Sequence, residues 1–541
     1  MTPTLAILLF ITFVVSVLSL LVLIWAIAKQ QLRWDGGGAK VIFEEGELDR
    51  PEAPAAFRDL RGQEPELPEA LKRELEDRER ADRSSAPAVL TFLMSGVFWL
   101  LFGSVLGVVV ALKFTFPDWL TEQPWLTFGR LRPIHLNTTV YGWLSMSGLG
   151  VLLWLLPRLS RTHLRGVRFA VAGAVLWNVA LALGVVALAA GYTDGLEWQE
   201  IPWTLDILFV IAGGLSAVPL FATLRHRRVG HLYVSVWYFA AALVWFPFLF
   251  VVANWPDLHF GVEHAAVNWW FAHNVLGLWL TPIGLGAAYY LIPKVIGRPI
   301  YSYSLSLVGF WALALFYSQA GIHHLIGGPL PAWLVTLSIV QSVMMIIPVI
   351  AVAINHHMTV IGHFRALRYS PTLRFVVTGA VMYTGVSLIG SLMAVRPVNQ
   401  LLHFTHWTVG HAHMGVYAFV SMVLFGAAYF MLPRLLGREW PVPALIGWHY
   451  WLSLGGVLVY IGALSIGGVL QGLAMLDPEV PFLASVRVTA PYLAARTVGG
   501  SLMTVAHLLF AVHVGLLATN RGPERDRAPW APRALVEEVA S

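Results

Sequence analysis

The residues with the clearest capacity for chemistry lie in His403–Met414, which reads HFTHWTVGHAHM and contains four histidines in an apolar chain. Two of them, His411 and His413, are two positions apart at the head of a hydrophobic run that continues to about Leu432. On a helix such residues point about 200° apart, so the two rings would leave opposite faces. Imidazoles inside a bilayer are costly and by default mark a functional site. One helix could therefore hold two separate cofactors.

The composition limits the protein class and the metal ligands. Of 541 residues, 57% are hydrophobic and 12% are charged, whereas roughly a quarter of the residues of a soluble domain are charged. The absence of cysteine excludes disulfides, iron–sulfur clusters, thiolate zinc sites and covalent c-type haem. Histidine, carboxylate or methionine must hold any metal, and 19 histidines are present. The net charge of +5 is assigned to loop arginines and not to a nucleic-acid surface.

The apolar runs predict an all-α polytopic membrane protein, because each is long enough to cross a lipid bilayer. A first span over about 5–28 lacks the basic region and cleavage site of a signal peptide, so it is predicted to be retained. Residues 1–50 are taken as an N-terminal unit, 51–86 as a polar cytoplasmic linker with one helix, 87–519 as the core and 520–541 as a cytoplasmic tail. Twelve core spans are predicted at about 87–112, 133–156, 167–190, 203–223, 231–253, 266–292, 303–322, 331–354, 373–394, 404–432, 443–471 and 493–518.

Loop charge predicts the orientation. Five short loops on one side contain the arginines and lysines, whereas Gly191–Pro202 and Asn254–Ala265 on the other side are acidic or nearly free of basic residues. By the positive-inside rule the basic side is cytoplasmic, which places the C-terminus inside and the N-terminus outside. The basic residues of those loops are Arg158, Arg161, Arg165, Arg168, Arg225, Arg227, Arg228, Lys294, Arg298, Arg365, Arg368, Arg434 and Arg438.

Six histidines from four spans are then predicted to meet at one depth in the outer half of the membrane. They are His135, His273, His323, His324, His411 and His413. A low-spin haem needs two axial imidazoles, a gas-binding haem needs one, and three can hold copper. An interfacial position is the alternative for any single ring, but six at one level favour metal binding. By contrast, His356 and His357 are predicted to be interfacial, and His231 to be an exposed loop-edge residue.

Four segments resemble the signature segments of the catalytic subunit of cbb3-type cytochrome c oxidases, which are haem–copper oxygen reductases. They are GRLRPIHLN (Gly129–Asn137), WWFAHNVLGLWLT (Trp269–Thr281), YSYSLSLVGFWALALFYSQAGIHH (Tyr301–His324) and HWTVGHAH (His406–His413). The resemblance covers about Pro87–Ala518. It implies a twelve-helix haem–copper oxidase core, to which this chain adds one N-terminal transmembrane helix.

The resemblance implies a role for each ligand. His135 and His413 would be the axial pair of a low-spin haem b, and His411 the ligand of a high-spin haem b. The copper facing that haem would be held by His273, His323 and His324. Three further residues, Arg130, Arg132 and His403, are candidates to neutralise haem propionates. For the arginines, interfacial snorkelling is the alternative.

Tyr317 distinguishes between two candidate functions, oxygen reduction and nitric oxide reduction. It lies six residues before His323, and in the resembled family a tyrosine at that place is cross-linked to the histidine equivalent to His273. It supplies an electron and a proton for O–O cleavage. Nitric oxide reductases lack this tyrosine and place a glutamate near the sixth-span histidine, where this chain has Gly277 and no acidic residue up to Leu291. Oxygen reduction is therefore favoured. A cofactor-free secondary transporter is the alternative from another class.

Two rows of hydroxyls are predicted to carry protons from the cytoplasm. Tyr303, Ser306 and Tyr317 share one face of the seventh span, and Thr281 and Tyr289 follow His273 by 8 and 16 residues. These rows resemble the single K-type pathway of the family. One departure is Gly309, where the family commonly has a histidine. The alternative is that the hydroxyls only bond to helix carbonyls.

The remaining expectations concern ions, partners and the N-terminus. The resemblance suggests that Glu197 helps to bind calcium, although an acidic outer loop alone would also explain it. WDGGGAKVIFEEGE (Trp34–Glu47) is similar to the small maturation protein CcoS, which suggests a fusion, with a plain anchor helix as the alternative. The chain cannot bind c-haems, so the resemblance implies membrane-anchored mono-haem and di-haem cytochrome c subunits as electron donors. They would feed O₂ reduction to water coupled to proton translocation.

Overall fold

In a computed structural model of the chain, residues 3–32, 37–43, 47–49, 69–255 and 258–525 are described, and this part is helical without β-strands. Helices are expected for apolar spans because lipid cannot satisfy backbone polar groups. The thirteen long helices are α1 (Pro3–Ala28), α2 (Glu69–Leu112), α3 (Phe128–Leu159), α4 (Val167–Ala190), α5 (Trp203–Arg225), α6 (Val234–Ala253), α7 (Gly261–Ile296), α8 (Tyr303–Tyr317), α9 (Ala332–Val360), α10 (Pro371–Met393), α11 (His406–Leu436), α12 (Pro443–Leu476) and α13 (Ala490–Ala518).

The predicted polytopic helical fold is confirmed, with one correction in the seventh core span. Within the described residues, eleven helices are long and apolar enough to cross a membrane, and α8 is shorter, with 15 residues. The predicted span 303–322 ends early because the chain leaves the α-helix after Tyr317. It then forms a separate 3-10 turn, Ala320–Leu325, which contains His323 and His324. This turn directs both rings inward from the end of α8.

Three helices form the centre of the bundle. In the most apolar part of α3, α7 and α11, 94%, 89% and 89% of the residues are buried, against 39–61% in the other spanning helices. The same three helices contain His135, His273 and the pair His411 and His413. In each, the α-helix changes to a π-helical segment shortly after the histidine, a feature that is frequent at functional sites. The segments are Thr138–Leu144, Val275–Leu280 and Met414–Ser421.

Small residues allow α12 and α13 to approach closely. A Cβ atom at Gly456 would lie 2.8 Å from the Gly499 carbonyl oxygen, and one at Gly499 would lie 2.7 Å from that of Gly456. Without a hydrophobic driving force in lipid, such backbone contacts are a main source of helix association.

The predicted boundary between linker and core, at 86/87, lies inside one continuous helix. Helix α2 begins at Glu69, so residues 69–86 extend the first core span at the end that loop charge predicts to be cytoplasmic; residues 51–68 lie outside the described part. This extension packs on the core: Arg158 donates from Nε to Asp82 at 2.6 Å, and the Leu164 amide donates to Ser84 Oγ at 2.9 Å. The helix predicted within the polar segment is therefore present and attached.

Asp82→Ala is expected to destabilise this attachment. The Asp82 and Arg158 side chains are 8% and 5% exposed, and removing one partner of a buried ion pair typically costs roughly 3–5 kcal/mol. We expect a clearly lower midpoint of thermal unfolding, followed by circular dichroism in detergent. Arg80→Ala is the control, because Arg80 is 46% exposed and pairs only along its own helix. Equal effects of the two substitutions would contradict the prediction.

The segment after α1 packs on the end of the core that loop charge predicts to be cytoplasmic. Gln31 accepts a hydrogen bond from the Leu232 amide and donates one to the Gly230 carbonyl, both at 2.8 Å. The Lys294 ammonium pairs with Glu47 at 2.7 Å, and both side chains are buried. The stretch Trp34–Glu47 therefore contacts the core through its described residues; 33–36 and 44–46 lie outside the described part.

Candidate metal centre and proton route

One cavity of about 570 Å³ lies in the half of the bundle that loop charge predicts to face outward, and all six histidines singled out in the sequence line it. His135, His273 and the pair His411 and His413 reach it from the three central helices, and His323 and His324 reach it from the 3-10 turn. Tyr317, Thr281, Arg132, Glu197 and His403 also line this cavity. The convergence expected from the predicted topology is therefore present.

Three imidazoles form a compact group on one wall of the cavity. The ligand atoms of His273, His323 and His324 lie within 4.8 Å of one another, the only such group of three or more found among the described residues. His323 Nδ1 lies 2.8 Å from Ser342 Oγ, which leaves its Nε2 available, and His324 stacks on Trp269 with ring centroids 4.2 Å apart. Neutral imidazoles oriented by second partners suit copper. The residues fit this ion.

Tyr317 packs against this group. Its ring centroid lies 4.5 Å from that of His273, with 31° between the ring planes. A Cβ atom at Gly277 would lie 1.7 Å from Tyr317 Cε1, so only a glycine on α7 leaves room for the tyrosine ring. The absence of a side chain at Gly277 is therefore what lets α8 place Tyr317 beside His273.

His135 and His413 are each oriented by a hydrogen bond from Nδ1 to a backbone carbonyl. His135 donates from Nδ1 to the Gly103 carbonyl at 2.7 Å, and His413 donates from Nδ1 to the Val409 carbonyl at 2.9 Å. Each bond fixes the tautomer and leaves Nε2 as a metal-binding atom. A Cβ atom at Gly107 would lie 2.7 Å from the His135 ring. Each histidine therefore has a free Nε2 that can bind a haem iron.

His411 leaves α11 on a different side from His413. Its Cε1 lies 3.2 Å from the position of a Cβ at Gly390 on α10, whereas the His413 ring packs on Tyr460 of α12 with centroids 4.4 Å apart. His411 Nδ1 is buried and has no hydrogen-bond partner among the described residues. The two rings therefore diverge as their spacing predicts, and an unpaired imidazole at His411 fits a second haem.

Of the arginines predicted to neutralise haem propionates, only one lies at the rim of the cavity. Arg132 lines the cavity and pairs with Glu197 at 2.8 Å, whereas Arg130 donates to the Ala189 carbonyl at 2.9 Å, away from the cavity lining. Arg496 was missed by the sequence analysis. It is 6% exposed, lines the cavity and lies 4.7 Å from the Phe114 ring. An arginine inside the apolar run of the last span was the available signal.

The predicted calcium ligand has an ion-pair partner in the structure. Glu197 is engaged by Arg132, and the neighbouring Glu200 is buried, with Asn137 Nδ2 donating to it at 2.9 Å. Burial and the nearby Glu197 carboxylate raise the pKa of Glu200 to about 7. Calcium at Glu197 stays a prediction.

The cytoplasmic end of the predicted proton route contains a histidine that the sequence analysis placed in solvent. His231 Nε2 lies 2.8 Å from the hydroxyl of Tyr303, which also donates to the Leu232 carbonyl at 3.1 Å. His231 is half-buried because the N-terminal segment covers it. A Cβ at Gly38 would lie 2.5 Å from His231 Nε2 and 2.7 Å from the Tyr303 ring.

A second histidine, His356, must be corrected from interfacial to buried. It is 1% exposed, both ring nitrogens lack hydrogen-bond partners within the described structure, and its centroid lies 4.5 Å from that of Tyr289. The reason is that α9 extends to Val360, beyond the predicted end at 354, so that His356 faces inward. His357 is half-buried and lies 3.1 Å from Thr384 Oγ1.

The other members of the route are placed as follows. Ser306 is fully buried and donates to the Tyr303 carbonyl, as the alternative interpretation of the hydroxyls expects. Asn355 Nδ2 lies 3.5 Å from the Tyr289 hydroxyl. At Gly309, the Tyr238 hydroxyl lies 3.6 Å from the position of a Cβ. Tyr238 of α6 therefore places its hydroxyl beside Gly309, where α8 has no side chain.

Comparison with known proteins agrees with this arrangement. The profile of the family described as cytochrome c and quinol oxidase polypeptide I matches residues 87–502. The cbb3-type cytochrome c oxidase subunit CcoN1 of Stutzerimonas stutzeri is 35% identical over 443 residues, which cover 79% of this chain and 94% of the relative. A cytochrome c oxidase subunit 1 homologue of Agrobacterium tumefaciens is 32% identical over 463 residues, covering 82% and 85%.

The fold is also similar to that of a solved structure. A chain of a haem–copper terminal oxidase dimer superposes with a TM-score of 0.70 at 17% identity, covering 84% of this chain and 90% of that one. Sequence, fold and the convergence of six histidines on one cavity therefore agree. This multi-pass membrane protein belongs to the haem–copper oxidase subunit I family, whose members use haems and copper, and it is a homologue of the cbb3-type catalytic subunits.

Proposed function

We propose that this chain reduces O₂ to water at a high-spin haem b and a copper ion, with electrons from cytochrome c passing through a low-spin haem b. The observation that carries the proposal is the group of His273, His323 and His324, which shares one cavity with His411 and packs against Tyr317. When bound, haem and copper supply O₂ binding and electron transfer. The protein supplies ligands, orientation and protons.

The side chains divide this work. His135 and His413 would hold the low-spin haem b through Nε2, because their Nδ1 atoms are bonded to backbone carbonyls. His411 would hold the high-spin haem b. Tyr317 would hold a proton on its phenol oxygen beside His273 and supply it to the reaction. Arg132, His403 and Arg496, which line the cavity, would neutralise haem carboxylates, and Arg496 would take the place of Arg130 in this role.

Protons for the reaction are proposed to enter from the cytoplasm at His231 and Tyr303, which lie 2.8 Å apart. They continue past Ser306 and Tyr289 to Thr281 on the cavity wall. The buried His356 beside Tyr289 supplies from α9 an imidazole that α8 lacks at Gly309. Because its ring nitrogens are unpaired in the described structure, water is the natural partner for them.

The assembly is proposed to follow the resembled family. Membrane-anchored mono-haem and di-haem cytochrome c subunits deliver electrons in the inner membrane of a bacterium, and proton translocation accompanies turnover. Residues 87–519 form the catalytic core and 1–50 a CcoS-like unit fused to it. Calcium between Glu197 and haem propionates is the remaining cofactor proposed.

The proposal is tested by a reduced-minus-oxidised visible spectrum and by metal analysis of the purified complex. We expect bands of two b-type haems and one copper per chain. Non-haem iron in place of copper, with turnover of nitric oxide, would instead support the nitric oxide reductase alternative. A protein without haem bands would overturn both metal interpretations and favour a transporter.

Gly277→Ala is expected to lower O₂ consumption strongly while leaving both haems bound. The added methyl group would overlap the Tyr317 ring, so the tyrosine must move away from His273. Gly214→Ala is the control, because a Cβ at Gly214 meets no atom within 4 Å. The measurement is oxygen uptake by the purified complex, and full activity of Gly277→Ala would contradict the packing argument.

A further inference from the structure

The segment that follows α1 contacts the loop at the entrance of the proposed proton route. Gln31 is 2% exposed, and both ends of its side-chain amide form hydrogen bonds. Its Nε2 donates to the Gly230 carbonyl at 2.8 Å and to the Lys29 carbonyl at 3.2 Å, and its Oε1 accepts the Leu232 amide at 2.8 Å. The side chain therefore binds the backbone on both sides of His231.

The same loop binds Tyr303. The Leu232 carbonyl accepts the Tyr303 hydroxyl at 3.1 Å, and this hydroxyl lies 2.8 Å from His231 Nε2. A phenol has a single hydrogen, so a hydroxyl that donates to Leu232 presents its oxygen to His231 as an acceptor. Gln31 thus holds Leu232 and His231 in the positions in which both of them bind the tyrosine.

Gly38 shows how closely the N-terminal segment approaches this pair. A Cβ atom at Gly38 would lie 2.5 Å from His231 Nε2 and 2.7 Å from Tyr303 Cε1, and at such distances an atom must shift. A glycine is therefore needed for the segment to lie over the two side chains while they stay bonded to each other. His231 is still half-buried and not fully buried, so water can reach it.

The segment is attached to the core beyond Gly38 as well. Lys294 of α7 donates from Nζ to the Ile42 carbonyl and pairs with the Glu47 carboxylate, both at 2.7 Å. Both charged side chains are buried, and loss of one partner of a buried ion pair is strongly destabilising. Contacts before and after Gly38 therefore hold the segment in place over the entrance.

These contacts belong to a part of the chain outside residues 87–502, which match the oxidase family. The N-terminal unit is proposed above to resemble a maturation protein. A role limited to maturation would end when the cofactors are inserted. It would require neither an amide that binds both sides of His231 nor a glycine that fits against the His231–Tyr303 pair.

We propose that Gln31 is a positioning residue for proton uptake, which keeps His231 within hydrogen-bonding distance of Tyr303. This inference rests on the proposed function. His231 accepts a proton from water and passes one from Nε2 to the Tyr303 oxygen, and Tyr303 releases its own hydroxyl proton into the route. No electron moves in this step. Without the Gln31 amide, the loop that carries His231 moves and the transfer slows.

The test compares oxygen consumption by the purified complex in H₂O and in D₂O. Gln31→Met keeps the length of the side chain but removes the amide. We expect oxygen consumption to fall about fivefold, the scale on which loss of one hydrogen bond shifts a local equilibrium. The ratio of the rates in H₂O and D₂O should rise, because proton entry becomes the slow step. Haem and copper content should stay unchanged, as should the rate at which reduced cytochrome c reduces the low-spin haem.

Gln30→Met is the matched control. Gln30 precedes Gln31 and is of the same residue type, but its side chain is exposed. We expect this substitution to change neither oxygen consumption nor the ratio of the rates in H₂O and D₂O.

Gly38→Ala tests the same step without altering Gln31, and it decides the question if Gln31→Met does not assemble. Its methyl group would displace the His231 ring from Tyr303, so we expect the same lower rate and higher ratio. Gly214→Ala, which adds a methyl group where no atom lies within 4 Å, is the control.

The outcomes separate positioning from the other roles of the segment. Lower haem or copper content with unchanged oxygen consumption per assembled complex would overturn the positioning role and favour maturation. Lower oxygen consumption with an unchanged ratio of the rates in H₂O and D₂O would leave only a role in stability. Unchanged values of both in the two variants would also overturn the inference. A wild-type complex without oxygen consumption would overturn the proposed function and this inference with it.

Discussion

Tyr317→Phe is expected to abolish oxygen reduction while both haems and copper stay bound. The substitution removes the phenol oxygen but keeps the ring that packs 4.5 Å from His273 and against Gly277. A positioned acid typically contributes about 10²–10⁴-fold, so we expect oxygen uptake to fall at least a hundredfold on this scale. The measurement combines oxygen uptake with the haem spectrum and copper content of the same preparation.

Tyr192→Phe is the control for this experiment. Tyr192 is 71% exposed in an outer loop, so losing its hydroxyl should change neither activity nor cofactor content. If Tyr317→Phe retained substantial turnover with full cofactor content, the role proposed for the phenol would be wrong, although the metal assignment would stand.

The second large effect concerns the two histidines of α11. We expect His411→Ala to lose the high-spin haem and His413→Ala to lose the low-spin haem, since the two rings leave the helix toward α10 and α12. Carbon monoxide binds to a reduced haem with an open axial position. Carbon monoxide difference spectra should therefore lose their signal in His411→Ala and keep it in His413→Ala.

The reverse pattern would show that the assignment of the two haems is exchanged. Loss of both haems in both variants would show that the two sites are not independent. His406→Ala is a suitable control, because His406 lies on the same helix and lines the cavity rim beside Phe114 but is not proposed as a ligand.

The sequence was sufficient to predict the bundle and the six ligand candidates, since apolar runs and loop arginines determine span order and side. These signals locate helix ends only to within a few residues. His356 shows the consequence. Helix α9 continues six residues beyond its predicted end, and His356 is therefore buried in the protein and not at the membrane interface. Likewise, no local pattern shows that Arg130 turns to the Ala189 carbonyl while Arg132 faces the cavity.

Contacts between distant segments were beyond prediction for a different reason. The partnership of His231 with Tyr303, and the position of Gly38 against both, depend on how an N-terminal segment folds back on the core. The contact between Ser104 of α2 and His507 of α13 is similar, because it joins residues 403 positions apart. The pattern of apolar residues within one helix cannot predict which residues of distant helices will pair.

The π-helical segments make the length of three helices as important as their composition. Each accommodates one residue more than an α-helix of the same rise, and each separates a histidine proposed as a ligand from the rest of its helix. Deleting one residue in Thr138–Leu144 would restore α-helical pairing and turn His135 by about 100° relative to the packed half of α3. Single-residue deletions there should be as damaging as loss of the ligand itself, although every cavity residue would still be encoded.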